Sequence, residues 1–496
     1  MLHSGDVTAT ADASTDRTRT SALWARDRRT TTAGLLLLIT MAALEAMSVG
    51  TAMPTMVAEL HGQALYSWPF TAFLAASVIG TVLSGRITDS RGPRLPLLGG
   101  PAVFGAGLLV AGVAPTMPVL LAGRVLQGLG AGVMVVAAYV LIALVYPERD
   151  RPAAFGAVSA AWVVPALVGP AIAGLVTEHA SWRWVFFGLA PFVLVGVGLL
   201  VPLVRTLPAA AHQSHQAHPA QERSTRRGVI TASVMAGVGL SALTWAAQHP
   251  SLATAPLAAG GLVVLVPALR RLLPAGTLTA RRGLPTVVLA RGLLTGAFFA
   301  VEAYLPLTLT AAHGASPALA GLPLTVGALG WAAASTLQGR HPDYPREKLL
   351  RAGYLLLAAG LAGTTVAAFG AVPYWLVLPV WTVAGAGMGL GMPSVSVRLL
   401  ELSPPAERGF NSAALQIWDL LLSAACIGFG GVLLVAFSTA SATASATANA
   451  SASVSAQAQA PTPAVVLLDL LMAGLALGGA ALASRTGQSG RPATLE

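Results

Sequence analysis

Apolar residues in this chain come in long continuous runs rather than in alternation with polar ones. Fourteen runs lie near positions 32–53, 67–85, 95–114, 117–146, 152–177, 184–204, 229–248, 251–273, 286–312, 317–338, 347–370, 372–398, 408–437 and 463–484. Each is about 20 residues or more, enough for a helix rising about 1.5 Å per residue to cross a hydrocarbon core of roughly 30 Å. The pattern predicts an all-α membrane protein with 14 transmembrane helices.

Glycine and proline punctuate these runs in an order that repeats. Gly128, Gly130, Gly132, Pro147, Arg151 and Gly174 recur 257 residues later as Gly385, Gly387, Gly389, Pro404, Arg408 and Gly431, as a parallel duplication of six helices would produce. The loop GRITDSRGPR after the second helix has a degenerate partner in GRHPDYPR, where Gly339, Arg340 and Asp343 correspond to Gly85, Arg86 and Asp89. Helices seven and eight fall outside the repeat. The expected organisation is a disordered tail (1–31), a six-helix half (32–204), a linker (205–228), two inserted helices (229–273), a second six-helix half (286–484) and a short tail (485–496). The stretch 438–460, rich in Ser, Ala and Thr, reads as a flexible loop. His212, His215 and His218 in the linker read as solvated, with a metal or proton sensor as the alternative.

Composition agrees. Hydrophobic residues make up 55% of the chain, charged residues 10%, and the mean hydropathy is +0.71, against about 45–50% and about 25% for a soluble globule. The net charge of +10 raises the question of nucleic acid, but its placement answers differently. With the N-terminus inside, Arg and Lys gather in alternate loops, as cytoplasmic loops do, and no nucleic-acid partner is expected. The exceptions are Arg124, Arg183 and Arg291. The single cysteine, Cys426, excludes an intrachain disulfide or a Cys-rich metal site. The single lysine, Lys348 in REKLL, has the context of neither a Walker A loop, a retinal Schiff base nor a pyridoxal site.

Buried charge carries the chemistry. Arg124 interrupts an apolar run, where a cation costs about 2.5–3.5 kcal/mol or more. Gln127 lies one turn further on the same face, and Gly128, Gly130 and Gly132 allow another helix or a substrate to approach. Glu45 in the first helix and Arg124 in the fourth lie at matching depths, roughly 10–12 Å from the outer ends of their runs. They are expected to meet. A nearby guanidinium favours the carboxylate, and its withdrawal lets a proton or a cationic substrate bind; a static ion pair between the two helices is the competing reading. Glu302 is expected to face the same cavity from the other half, or else to have a local partner such as Tyr304. Asp419, at the repeat position of Trp162, is a third candidate acid. Trp381 stands at the repeat position of Arg124, so the charges are not symmetric. Arg291 is expected to snorkel to the inner surface, and Asp469 to lie at the outer interface.

These residues also carry a resemblance. Gly85, Asp89, Gly92 and Arg94 resemble the loop motif GxLaDrxGrk of the major facilitator superfamily. Arg124, Gln127, Gly128 and Gly130 resemble its helix-four motif RxxqGxg, and Gly156, Gly169, Pro170 and Gly174 its antiporter-associated helix-five motif. LEAMSVGTAMP, residues 44–54, and the segment Ser181 to Phe186 fit the same series. The chain is similar to the 14-helix drug:proton antiporters over about residues 32–484. It departs from them at Ser90, Pro93, Pro165 and Ala173, and Glu45 stands where Asp is usual.

The resemblance implies a cell-membrane transporter; the heavy Ala, Gly and Arg usage fits a bacterial source, and the loop charge puts both termini in the cytoplasm. It implies a carrier and not an enzyme, monomeric in the lipid bilayer, with a small-molecule substrate and protons as partners. No cofactor is expected, the proton gradient supplying the energy. Glu45, Arg124, Glu302 and Asp419 would couple proton and substrate. Gln127, Gly128, Gly130, Gly169, Pro170 and Gly174 would line the cavity or pack helices, and Gly85, Asp89, Gly92 and Arg94 would latch the cytoplasmic loop. Uptake or proton symport on the same fold is the alternative, followed by a membrane-embedded enzyme or a non-transporting receptor.

Overall fold

The computed structural model describes residues 23–207, 220–341, 343–404, 407–447 and 461–486. Among them are 14 helices long and apolar enough to cross a membrane. They are α1 (Arg29–Glu59), α2 (Trp68–Arg91), α3 (Arg94–Gly112), α4 (Met117–Val145), α5 (Arg151–His179), α6 (Ala190–Thr206), α7 (Ala220–Gln248), α8 (Ala255–Leu272), α9 (Leu284–His313), α10 (Pro317–Arg340), α11 (Arg346–Thr364), α12 (Val377–Leu402), α13 (Arg408–Thr447) and α14 (Pro461–Leu482). A helical turn, Trp184–Phe187, precedes α6. The end of the bundle where α1 begins and α14 finishes is called the near end here, the opposite one the far end.

Several boundaries differ from those read from hydropathy. Leu23 is buried and its carbonyl accepts a 2.7 Å hydrogen bond from the Thr32 hydroxyl, so residues 23–31 belong to the folded part rather than to a tail. Helix α1 also runs on to Glu59, because that acid is held: Trp182 Nε1 donates to Glu59 Oε2 at 2.6 Å and Arg183 Nη1 to Glu59 Oε1 at 2.5 Å. Helix α7 begins at Ala220, inside the expected linker, and α13 continues to Thr447, inside the expected Ser/Ala/Thr loop. Alanine favours that continuation, and the Ser438 and Thr439 hydroxyls bond back to the Val435 carbonyl. His212, His215, His218, positions 448–460 and the two terminal tails lie outside the described residues.

The duplication is visible in packing. Helices α2 and α3 flank α4 as α10 and α11 flank α12, and α1 lies on α5 and α6 as α9 lies on α13 and α14. The glycines explain the closeness. A Cβ on Gly128 or Gly132 would stand 2.2 Å from a carbonyl oxygen of α2, that of Phe73 or Ser77, while one on Gly130 would stand 2.4 Å from the Phe104 nitrogen of α3. The second half repeats this: Gly385 and Gly389 would meet the Gly327 and Trp331 oxygens of α10 at 2.0 and 2.4 Å, and Gly387 the Gly353 oxygen of α11 at 2.6 Å. Small residues replace a hydrophobic driving force that lipid does not supply.

The two halves meet through α5 with α10 and α2 with α13, and they meet at the far end. There a Cβ on Gly174 would lie 2.5 Å from Ala318 Cα, and one on Gly321 2.7 Å from Thr51. Tyr66 crosses the seam, its hydroxyl donating to the Ala303 carbonyl at 2.9 Å and its ring 5.2 Å from that of Tyr304. At the near end, Gly85 on α2, Gly156 on α5, Gly339 on α10 and Gly409 on α13 face open space among the described residues. The named contacts that join the two halves therefore lie at the far end.

The inserted hairpin rides on the second seam. Ala232 and Ala236 of α7 pack with Val78 of α2 and with Ile417 and Leu421 of α13. At the far end Gln248 accepts from Trp68 Nε1 at 2.7 Å and donates to the Ser67 hydroxyl at 3.1 Å, while a Cβ on Gly431 of α13 would strike Gln248 Nε2 at 2.6 Å. Gln248 thus bridges both halves where they are closed. Gln248→Ala is expected to loosen this closure, read as a longer mean distance and a broader distribution between spin labels on the far ends of α2 and α13. An unchanged distribution would show the hairpin to be passive packing.

Candidate functional site

Glu45 and Arg124 meet. The pair is buried, at 0% and 2% exposure, with Arg124 Nη1 donating to Glu45 Oε1. Arg124 has further partners: Nη1 to Gln127 Oε1 at 2.6 Å, Nε to the Pro69 carbonyl at 3.0 Å, and the guanidinium carbon 4.4 Å from the centre of the Phe73 ring. A membrane-embedded cation is accommodated by such a cage. Glu45 is less fully held, because its Oε2 is buried without a hydrogen-bond partner among the described residues. Since α1 extends to Glu59, Glu45 lies midway along it, about 21 Å from the far end of the helix. Its partner Arg124 lies only about 10 Å from the far end of α4, so α1 projects beyond α4 at that end.

Glu302 stands on α9 one repeat from Glu45, 257 residues on, and is partly exposed. It makes no hydrogen bond or ion pair with a described residue. Tyr304, considered as its partner, instead donates to the Ile427 carbonyl at 2.7 Å. One turn back on the same face, Phe298 stacks on Trp381 at 4.9 Å and meets the Trp331 ring edge-on at 5.8 Å.

Asp419 is not gathered with these acids. Arg291 Nε and Nη2 both donate to its Oδ2 at 3.0 Å, with the two side chains 14% and 18% exposed. Arg291 therefore does not snorkel: it neutralises Asp419 at a level about 16 Å nearer the near end than Glu302, counted along α9. Asp469 is also placed differently from the interfacial position expected of it. It is 2% exposed and accepts from the Thr364 hydroxyl at 3.0 Å, because α14 turns it toward α11.

The remaining candidates divide by end. Gly169 faces Met47, Leu44 and Ser48 of α1, and the Pro170 carbonyl and Gly174 contact α10. In the loop after α2, Gly92 has φ +82° and ends the helix, as a left-handed position favours glycine. Arg94 Nη2 donates to the Arg205 carbonyl at the end of α6 at 3.0 Å, Asp89 is exposed, and Gly85 faces open space. Sequence reasoning missed Gln248 and the Arg291–Asp419 pair. The second had a signal, opposite lone charges in the near-end parts of two apolar runs.

Comparison with known proteins fits this geometry. The profile described as Major Facilitator Superfamily matches residues 35–418. The chain belongs to that superfamily and is a multi-pass membrane transporter of small molecules. It is 28% identical over 403 residues to a protein of Mycobacterium tuberculosis described as a probable multidrug-efflux transporter, covering 77% of this chain and 82% of the relative. Among solved structures, a bacterial homologue of the human lysosomal transporter Spinster, inward-facing and unoccupied, aligns with a TM-score of 0.63 at 14% identity over 92% of this chain and 96% of that one. A D-xylose-proton symporter aligns with a TM-score of 0.55 at 18% identity over 90% and 95%. These two likenesses show the fold alone.

Proposed function

We propose that this transporter exports a small hydrophobic or cationic compound in exchange for protons, by alternating access. It works as a monomer in a bacterial cell membrane, with both termini cytoplasmic and no cofactor. The near end is then the inner one, and the conformation described is inward-open. The names of its relatives and the glycines and prolines of α5 support export, and the loop charge supports the orientation.

The observation that carries the coupling is the unequal satisfaction of the buried pair. Arg124 keeps Gln127, Pro69 and Phe73 if Glu45 becomes neutral, and Glu45 Oε2 has no partner among the described residues to give up when a proton arrives. Opened inward and paired with Arg124, Glu45 is in its discharged form, ready for substrate. Once the cleft opens outward, protonation of Glu45 ends that pairing, substrate leaves, and the proton is carried in. Asp419, already neutralised by Arg291, takes no proton in this scheme.

The test uses inverted vesicles holding a pH-sensitive dye, energised and then challenged with lipophilic cations, neutral drugs and sugars. Export in exchange for protons gives proton release from the lumen on adding a substrate. Release into the lumen with substrate, as in a symporter, or no movement with any compound, would overturn the reading.

A further inference from the structure

Acid and base are shared unevenly among the connections at the near end. Counted with the helix turns that flank them, all but one carry acids as well as arginines: Asp89 after α2, Glu148 and Asp150 after α4, Glu222 at the start of α7, Asp343 and Glu347 after α10, Glu401 and Glu407 after α12. Several of these acids meet a base: Asp150 takes Arg28 at 3.4 Å, Glu148 takes Arg151 at 3.7 Å and Glu401 takes Arg398 at 2.9 Å. The connection from α8 to α9 differs. It carries Arg270, Arg271, Arg281 and Arg282, and no Asp or Glu stands anywhere between Glu222 and Glu302. The four arginines are exposed, and their side chains make no ion pair or hydrogen bond among the described residues. The rule that inner loops are basic explains the arginines but not the missing acids.

This connection is held in shape. The Arg281 nitrogen donates to the Gly276 carbonyl at 3.0 Å, the Thr286 hydroxyl to the Arg281 carbonyl at 2.6 Å, and the Gly283 nitrogen to the Arg485 carbonyl at 3.0 Å. The stem of Arg281 lies against Gly276, where a Cβ would stand 2.8 Å from that of Arg281. The bond to Gly283 also sets exposed Arg485, at the end of α14, beside Arg282. On the way in, α8 turns Leu262, Val263 and Val266 outward, Val263 being 72% exposed. Arg270 follows Val266 by one turn on the same face. An apolar chain lying along that stripe therefore ends at a guanidinium.

We propose that the connection from α8 to α9 binds an anionic phospholipid, with the phosphate held by Arg270, Arg271, Arg281 and Arg282 and an acyl chain laid along α8. A guanidinium fits phosphate oxygens in a two-pronged grip, and a basic pocket among membrane helices at the bilayer surface recognises acidic headgroups. Free phosphate has no chain for the α8 stripe. The lipid would fasten the inserted hairpin to α9 and α14, and the site is independent of the direction of transport.

Native mass spectrometry of the purified full chain, delipidated and then supplied with phosphatidylglycerol or phosphatidylcholine of identical acyl chains, tests this. The wild type is expected to hold phosphatidylglycerol at least about tenfold more tightly. A variant combining Arg270→Gln, Arg271→Gln, Arg281→Gln and Arg282→Gln should lose that preference. A control combining Arg149→Gln, Arg340→Gln, Arg351→Gln and Arg408→Gln removes the same charge elsewhere at the near end and should keep it. Equal retention of the two lipids by the wild type, or equal loss in the two variants, would overturn the site. A second measurement needs no variant. Phosphatidylglycerol with a photoreactive group in its acyl chain should label residues 262–266 of the wild type, found by peptide mass spectrometry, and unlabelled phosphatidylglycerol should compete where phosphatidylcholine and inorganic phosphate do not. Labelling confined to other helices, or equal competition by phosphatidylcholine or inorganic phosphate, would also overturn it.

Discussion

Glu45→Gln is expected to abolish proton-driven transport, lowering uphill substrate movement to the uncoupled level, while the protein remains folded. Glutamine keeps the volume of glutamate and copies its protonated form. If protonated Glu45 is a normal stage of the cycle, Arg124 must already tolerate a neutral neighbour, and Gln127 Oε1 at 2.6 Å and the Pro69 carbonyl at 3.0 Å provide for that. A purely structural ion pair predicts the reverse, because removing one partner of a buried pair typically costs about 3–5 kcal/mol. Thermal stability and flux on the same preparation decide between them. Retained stability with lost coupling fits the proton role; a large loss of stability with full coupling in whatever folds fits the static pair.

Gly128→Leu and Gly385→Leu are expected to prevent assembly altogether, and the alanine variants to lower thermal stability clearly. Even a Cβ at these sites would stand 2.2 Å and 2.0 Å from the backbone oxygens of Phe73 and Gly327, so α2 or α10 would have to move away from α4 or α12. Inserting a methyl into such a contact typically costs about 1–3 kcal/mol. The near-end glycines supply the control. Gly85→Ala and Gly156→Ala meet open space among the described residues and gain up to about 1 kcal/mol of helix propensity, so they should be neutral or slightly stabilising. Size-exclusion profiles and melting curves of the four alanine variants check the contrast. Equal behaviour of the two pairs would contradict the packing described.

Much of this was legible in the sequence, for identifiable reasons. Apolar run length is a direct consequence of bilayer thickness, so all 14 helices appear in it. The duplication survived in glycines because those positions touch neighbouring backbone, and no other residue fits. Glu45 and Arg124 could be paired by depth because each is a lone charge in its run. What escaped depends on contacts between helices distant in sequence. Nothing in hydropathy says that Gln248 reaches Ser67 and Trp68, or that Asp469 turns toward Thr364. The full length of α1 is not legible because the apolar run ends at polar residues, whereas the helix continues until Trp182 and Arg183 hold Glu59. Arg291 was assigned to the surface by the general habit of long cations, against which a carboxylate 3.0 Å away decides.

The central claim is that Glu45 carries the proton that substrate displaces, and infrared difference spectroscopy of the protein in lipid tests it most directly. Adding substrate to the proton-loaded wild type should remove one carboxylic-acid carbonyl band, raise a carboxylate band and release a proton to the medium. In Glu45→Gln both bands should be missing and no proton should be released. If the variant gave the same difference spectrum as the wild type, another group would carry the proton and the account of the Glu45–Arg124 pair would be wrong.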